Sequence, residues 1–381
     1  MHPGSLIFVV LSLGLSGVNA EAKELYGPDT GVVPFGMGRA YSAVADDALS
    51  LQYNPAGLAL VKKVDFQLFD LKAESNRDVV QNYSSFKNLG KTSQTSVANT
   101  LNPLAGKHVM AAVGNNTQLT IPNFALGFSY DVHTDFDLEN VAYPQTDMRY
   151  TKDLAFLAGG GVGVGPKKEL RVGAMLKVVN RTGGIQTMTA SDFAGTTAAL
   201  KDRFSATGTG YGGDIGMQYR LPMEGRTEVT SSFVWHDIGD TTFGGSQQKN
   251  PPTPMYQNIV AGLGVRFPIG GTKNRRLERR YGPTRSTSHL SLAFDYSHLN
   301  YSWNTEQLPK HVHLGANLDL PLFSFQLGMN QTSLTLGTSF DIGVIKVAFA
   351  TYGEELGSYA GQKTDRRYLL SVGSSLGFGG F

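Results

Sequence analysis

Few residue patterns in this chain could do chemistry, and most of them point away from it. His311 and His313 are two apart, which on a strand puts both imidazoles on one face at a spacing that suits a metal ion. No third ligand accompanies them, so a structural role is expected and no metal site is assigned. Gly159 to Gly165 reads GGGVGVG and looks at first like a phosphate-cradling loop. Pro166-Lys167-Lys168 and another strand pattern follow where a helix would have to begin, so the stretch reads as close strand packing. There is no His-Glu-x-x-His helix, and a hydrolase would need a Ser and a His brought together from different strands, which spacing along the chain does not reveal. The absence of cysteine removes disulfides, thiolate catalysis and cysteine zinc sites. With 33 Lys and Arg against 31 Asp and Glu, the net charge of +2 lacks the basic footprint of a nucleic-acid binder. The expectation is no enzyme, no catalytic residue, no cofactor and no nucleic acid.

The elements that would position such residues are strands. Leu290, Leu292, Phe294 and Tyr296 alternate with Ser291, Ala293, Asp295 and Ser297. Val312 to Leu320 and Phe323 to Met329 repeat the pattern, with His313, Asn317 and Asp319 and then Ser324 and Gln326 on the polar face. Successive side chains of a strand point to opposite faces, so each segment has one apolar and one polar or small face. About fourteen such segments run from residue 64 to 379, separated by turn-like stretches. An even number leaves both chain ends on one side of a membrane barrel. Counted from the first strand, the longer connections fall on the outer side and the short ones on the inner, except for the basic stretch 269–286. Ser191 could N-cap a short helix in the outer connection 182–209. The fold class expected is therefore all-β, a transmembrane antiparallel β-barrel of about 14 strands with a small N-terminal helical plug, in the bacterial outer membrane. The inward lattice should mix apolar Leu157, Met175, Val179, Val234, Val260 and Leu369 with polar Asp214, Arg266, Asp295, His311, His313 and Lys346.

The first 62 residues do not alternate. Residues 1–20 contain an apolar run, Leu6 to Leu15, and small residues at Val18 and Ala20, as in a cleaved export signal. Residues 21–62 are set apart as a small N-terminal helical segment, and 63–381 as the barrel. In GMGRAYSAVADDALSLQYNPAGLA, Gly36 to Ala59, small side chains predict a compact helix over Ala40 to Leu51 that could approach a wall closely. Asn54 before Pro55 is pushed off helical dihedrals, while Asn is a good N-cap and proline suits the first helical position. Asn54-Pro55 should end one helix and start another. Arg39, Asp46 and Asp47 either find ionic partners on the barrel wall or have their acids facing lumen water.

This stretch resembles the N-terminal segment of the FadL/TodX family of outer-membrane proteins, and Asn54, Pro55 and Ala56 match the family's hatch motif. The resemblance implies a hatch inside a fourteen-stranded barrel that passes long-chain fatty acids or aromatic hydrocarbons by passive diffusion. A similar motif marks PorV-type barrels, so the alternative is a protein-secretion accessory or structural scaffold. Expected partners are a hydrophobic small molecule, outer-membrane lipid and lipopolysaccharide, and the assembly machinery that reads the last strand; the basic stretch 269–286 reads first as a solvated loop, with contact to a periplasmic protein as the alternative.

Overall fold

A computed structural model describes residues 30–82, 106–138, 145–166, 168–189, 202–223, 226–244, 252–269, 288–301 and 308–378. Fourteen strands close into one antiparallel barrel. They are β1 (Val64–Asn76), β2 (His108–Ile121), β3 (Phe124–Leu138), β4 (Gln145–Val164), β5 (Leu170–Thr189), β6 (Thr207–Arg220) and β7 (Glu228–His236). The second half comprises β8 (Asn258–Pro268), β9 (His289–Tyr296), β10 (Val312–Asp319), β11 (Phe323–Asn330), β12 (Ser333–Asp341), β13 (Ile345–Glu355) and β14 (Thr364–Phe378). Each strand pairs with its sequence neighbours, and β1 closes the ring against β14, with Val64 opposite Phe378 and Asn76 opposite Arg367. Closure leaves no sheet edge, which a strand protein in lipid cannot tolerate.

The period-two pattern decides which face meets lipid. Leu292 and Phe294 are 41% and 37% exposed on the outside of β9, while Ser291 and Asp295 are buried inside it. Phe323, Phe325 and Leu327 on β11 and Leu370, Val372 and Leu376 on β14 likewise face out. All six apolar residues expected on the inward lattice are buried. Among the described residues no helix is long and apolar enough to cross a membrane. The chain crosses with strands, as a bacterial outer-membrane barrel does.

The connections at the end bearing Val64 and Phe378 are mostly short, such as Pro122-Asn123, 320–322 and 342–344. The long ones lie at the other end, where β1 runs into a one-and-a-half-turn helix, Arg77–Gln81, N-capped by the Asn76 side chain through Val79 N. The export signal, the helix proposed around Ser191 and the basic stretch beyond Ile269 lie outside the described residues.

Inside the barrel the N-terminal segment is less helical than its composition predicts. Helix α1 (Val32–Gly36) precedes the expected helix, and of Ala40 to Leu51 only the end is helical, in α2 (Ser50–Tyr53). The rest is a chain of turns, with Gly38 and Arg39 both at positive φ. The reason is that the wall competes for the backbone: main-chain groups of Gly36, Gly38, Tyr41, Ser42, Ala45 and Ala48 bond to barrel side chains. The corner at Asn54 forms as its sequence predicts. Asn54 is extended, its Oδ1 accepts from Ala56 N at 3.1 Å, and a 3-10 helix follows over Pro55–Leu60.

Candidate functional site

The plug is held differently on its two sides. Toward β6 and β8 to β10 polar contacts accompany close glycine approaches at Gly264 and Gly315. Asp295, from the inner face of β9, accepts from Tyr41 N at 2.9 Å, Ser42 N at 2.8 Å and Ser42 Oγ at 2.7 Å. Arg266 on β8 pairs with Asp46 at 2.5 Å and donates to the Val44 carbonyl at 3.2 Å. Gln218 on β6 donates to the carbonyls of Ser42 and Ala45 at 3.1 and 2.9 Å. Toward β4 and β5 the contact is steric. A Cβ on Gly161 would lie 2.5 Å from the Pro55 oxygen, and one on Gly173 would run into the Pro55 and Ala56 backbone. The glycine run therefore lets β4 and the 3-10 helix touch, which only a residue without a side chain permits.

Asn54, Pro55 and Ala56 sit where these two sides meet. Asn54 is fully buried and donates to Ser42 O at 2.9 Å and Met217 O at 3.3 Å, tying the plug to itself and to β6. Pro55 and Ala56 lie against the glycines of β4 and β5. Of the ionic residues, Arg39 reaches Glu354 on β13 at 3.5 Å and Asp46 reaches Arg266. Asp47 bonds within the plug, to Tyr41 Oη at 3.0 Å and Leu49 N at 3.0 Å.

The polar lumen residues do not form one site. Lys346 stands apart at the short-turn end, in register with Asp341. His311 lies just before β10, stacked on Tyr296 with its Nδ1 on the Ser297 carbonyl. Burial holds its pKa below the ordinary histidine value, and holds that of His298, in the same connection, well below it. His313 Nδ1 faces two acceptors, Gly38 O at 3.0 Å and Asn330 Oδ1 at 2.8 Å, so the proton lies on Nδ1 and Nε2 accepts from Ser297 Oγ at 2.9 Å. A Ser and a His thus meet across strands in a Ser–His–Asn chain. Ser297 N is bonded to His311 O and His298 N to Asn258 Oδ1, so the amides that would stabilise an oxyanion are taken. The chain docks Gly38 of the plug. The spacing Gly-x-Ser-x-Gly occurs at Gly373 to Gly377, but within β14, with no helix to make an elbow.

A cavity of about 260 Å³ lies between the plug and the long connections. Its floor includes Gln52 and Arg39 of the plug, and Pro254, Met255 and Tyr256 of the β7–β8 connection cover it. One side is apolar: Ala155 and Leu157 of β4 and Met175 and Val179 of β5, in a cluster continued by Leu51 of the plug, Phe243 and Met255. The rest is charged, and every cation on the wall already has a carboxylate. Arg181 forks onto Asp153 at 2.8 and 2.6 Å, and Lys177 bridges Asp214 at 3.2 Å and Asp237 at 2.9 Å. Arg149 pairs with Asp135 at 2.6 Å, Arg367 with Asp365 at 2.8 Å, and Arg39 with Glu354. Asp214 also takes His236 Nδ1 at 2.9 Å and Asp237 N at 2.9 Å. Lys177, Arg181, His236 and Glu354 were not singled out by sequence. Their signal was parity: Lys177 shares a face with Met175 and Val179, and His236 shares one with Val234.

The CymD monoaromatic hydrocarbon channel superposes with a TM-score of 0.50 at 12% identity, over 92% of this chain and 97% of that one. The chain shares its barrel fold with that channel. The Ralstonia pickettii toluene transporter TbuX (TM-score 0.44, 14% identity, 93% of this chain and 99% of that one) is a more distant match. So is the Pseudomonas putida toluene transporter TodX (TM-score 0.44, 11% identity, 94% and 99%). No family model and no curated protein sequence matches the chain.

Proposed function

We propose that this protein is an outer-membrane channel through which small hydrophobic molecules enter the cell down their gradient, with residues 21–62 as the hatch. The observation that carries this reading is the apolar stripe of the cavity. It runs from Met255 in the outer connection along Val179, Met175 and Leu157 to Leu51 of the plug, so an apolar solute meets a continuous lining down to the segment that closes the lumen. A solute that leaves water for such a lining gains roughly 25 cal/mol per Å² of apolar surface, enough to enter without energy coupling. The plug supports the gate. Its wall contacts toward β8 to β10 include hydrogen bonds and an ion pair, which can be exchanged for water, and its small residues add little bulk to move.

The fold shared with a monoaromatic hydrocarbon channel agrees with this reading. Uptake of radiolabelled toluene or oleate into liposomes with and without the reconstituted protein tests it. Faster entry of at least one of them through the protein is expected, and equal entry with and without it would sink the proposal.

A further inference from the structure

We infer that the cavity selects a neutral, single-ring-sized compound that carries a hydroxyl donor, a phenol or aryl alcohol, and that His236 Nε2 receives that hydroxyl. The inference rests on the reading of the chain as a channel for small hydrophobic molecules and names what the channel would prefer.

Three observations carry it. The first is charge. An acid anion entering the cavity would need a cation, and each cation on the wall is committed to a carboxylate of the barrel, Lys177 to two of them. Recruiting one would strand a buried carboxylate, which costs more than the new contact returns. The second is size. About 260 Å³ suits one substituted ring with a short substituent, since a cavity of ~150 Å³ already accepts benzene, and it is short of what a long acyl chain fills.

The third is an acceptor with nothing to accept. His236 is buried at the end of β7 and borders both the main cavity and the smaller cleft of about 40 Å³ beside Asp295 and Ser297. Its Nδ1 is bonded to Asp214 Oδ2 at 2.9 Å, and a carboxylate there requires the proton on Nδ1. In the neutral ring, Nε2 then presents a lone pair, and among the described residues no hydrogen bond is made to it. Asp214 is the register partner of Met175, so this acceptor stands beside the apolar stripe. A ring lying on Leu157, Met175 and Val179 gains burial and methionine–aromatic contact while its hydroxyl satisfies Nε2. A plain hydrocarbon would leave Nε2 desolvated and unpaired.

The test compares p-cresol, 4-methylanisole and p-toluate with the reconstituted full-length mature protein, by calorimetric binding and by entry into liposomes at neutral pH. The ether matches the phenol in shape and lacks only the donor. p-Cresol should bind about tenfold more tightly than the ether, the worth of one well-placed hydrogen bond in a buried site, with p-toluate weakest. His236→Phe, which keeps a ring and removes Nε2, should abolish the preference, so that p-cresol and the ether bind the variant equally. If p-cresol and the ether bind equally to the native protein, or p-toluate binds most tightly, the hydroxyl-selective site is overturned while the channel reading stands. If none of the three binds or enters faster than through protein-free bilayers and toluene and oleate likewise do not, the channel reading falls as well.

Discussion

Both walls approach the plug closely through glycines, Gly264 and Gly315 on one side and Gly161 and Gly173 on the other, and they differ in what they add to that contact. Toward β8 to β10, barrel side chains reach in to hydrogen-bond the plug backbone, and Asp295 alone gathers three donors. Toward β4 and β5, the barrel withdraws its side chains, and Gly161 and Gly173 let the Pro55 turn lie directly on the sheet. A polar contact can be traded for water at a small net cost, whereas a close-packed one is either made or lost. On the proposed channel reading, Asn54-Pro55-Ala56 is the hinge and Asp295 the latch, and Gln218, Arg266 and Gln118 add weaker holds on the segment between them.

The comparison breaks first at Asp295. Asp295→Ala leaves two buried amides and a hydroxyl without their acceptor, at about 4 kcal/mol in total. The barrel should persist, since strand pairing of β9 uses backbone, while the plug becomes sensitive to protease and single-channel conductance rises. An unchanged conductance with an intact, protected plug would remove the latch. Next in size is Gly173→Val, which drives a side chain into the Pro55 carbonyl at about 3 kcal/mol. Here the hinge itself should be displaced, so assembly yield falls and heat-modifiable migration on gels is weakened; normal yield and migration would mean the glycine contact is dispensable.

Pro55→Ala sharpens the same contrast on a smaller scale. The proline pre-sets the first turn of the 3-10 helix, and its loss costs about 0.5–1 kcal/mol through added freedom of the unlatched chain. Passage of small solutes should rise less than in Asp295→Ala, and an effect equal to or larger than that would reverse the assignment of hinge and latch.

The smallest effect concerns pH. His298, in the β9–β10 connection, has its pKa held well below the ordinary value by burial, with His311, His313 and Arg39 adding to it. The unfolded chain therefore binds a proton near pH 6.5 that the folded chain refuses, so this stability is present above that pH and is lost as the pH falls below it. Melting in detergent should drop between about pH 7.5 and pH 5, and less so in His298→Asn, which tolerates the same positive φ of 55°. Parallel melting curves for both proteins would show that the histidine is not responsible.

Much of the barrel was legible because its code is local. Leu292 and Phe294 against Ser291 and Asp295 show their faces within four residues, and the count of such runs set the strand number and the side of each connection. The Asn54-Pro55 corner was equally local, since the side chain caps a turn two residues on. The plug forms less helix than its composition predicts, for the complementary reason. Its alanines favour a helix in isolation, but Asp295, 254 residues beyond Tyr41 in the chain, takes the amides a helix would have used. The wall charges show the same limit. Parity marks Lys177 and His236 as inward, and nothing along the chain says that Asp214 stands between them.

What the sequence determined by itself, then, is whatever neighbouring residues settle among themselves: strand period, facing, turn chemistry and the break at Asn54. What only the tertiary structure decided is which inward groups meet once the ring closes. Closure brings β6, β7, β9 and β13 to one lumen, and there pairing among distant charges, not their abundance, sets both the grip on the plug and the chemistry the cavity leaves open.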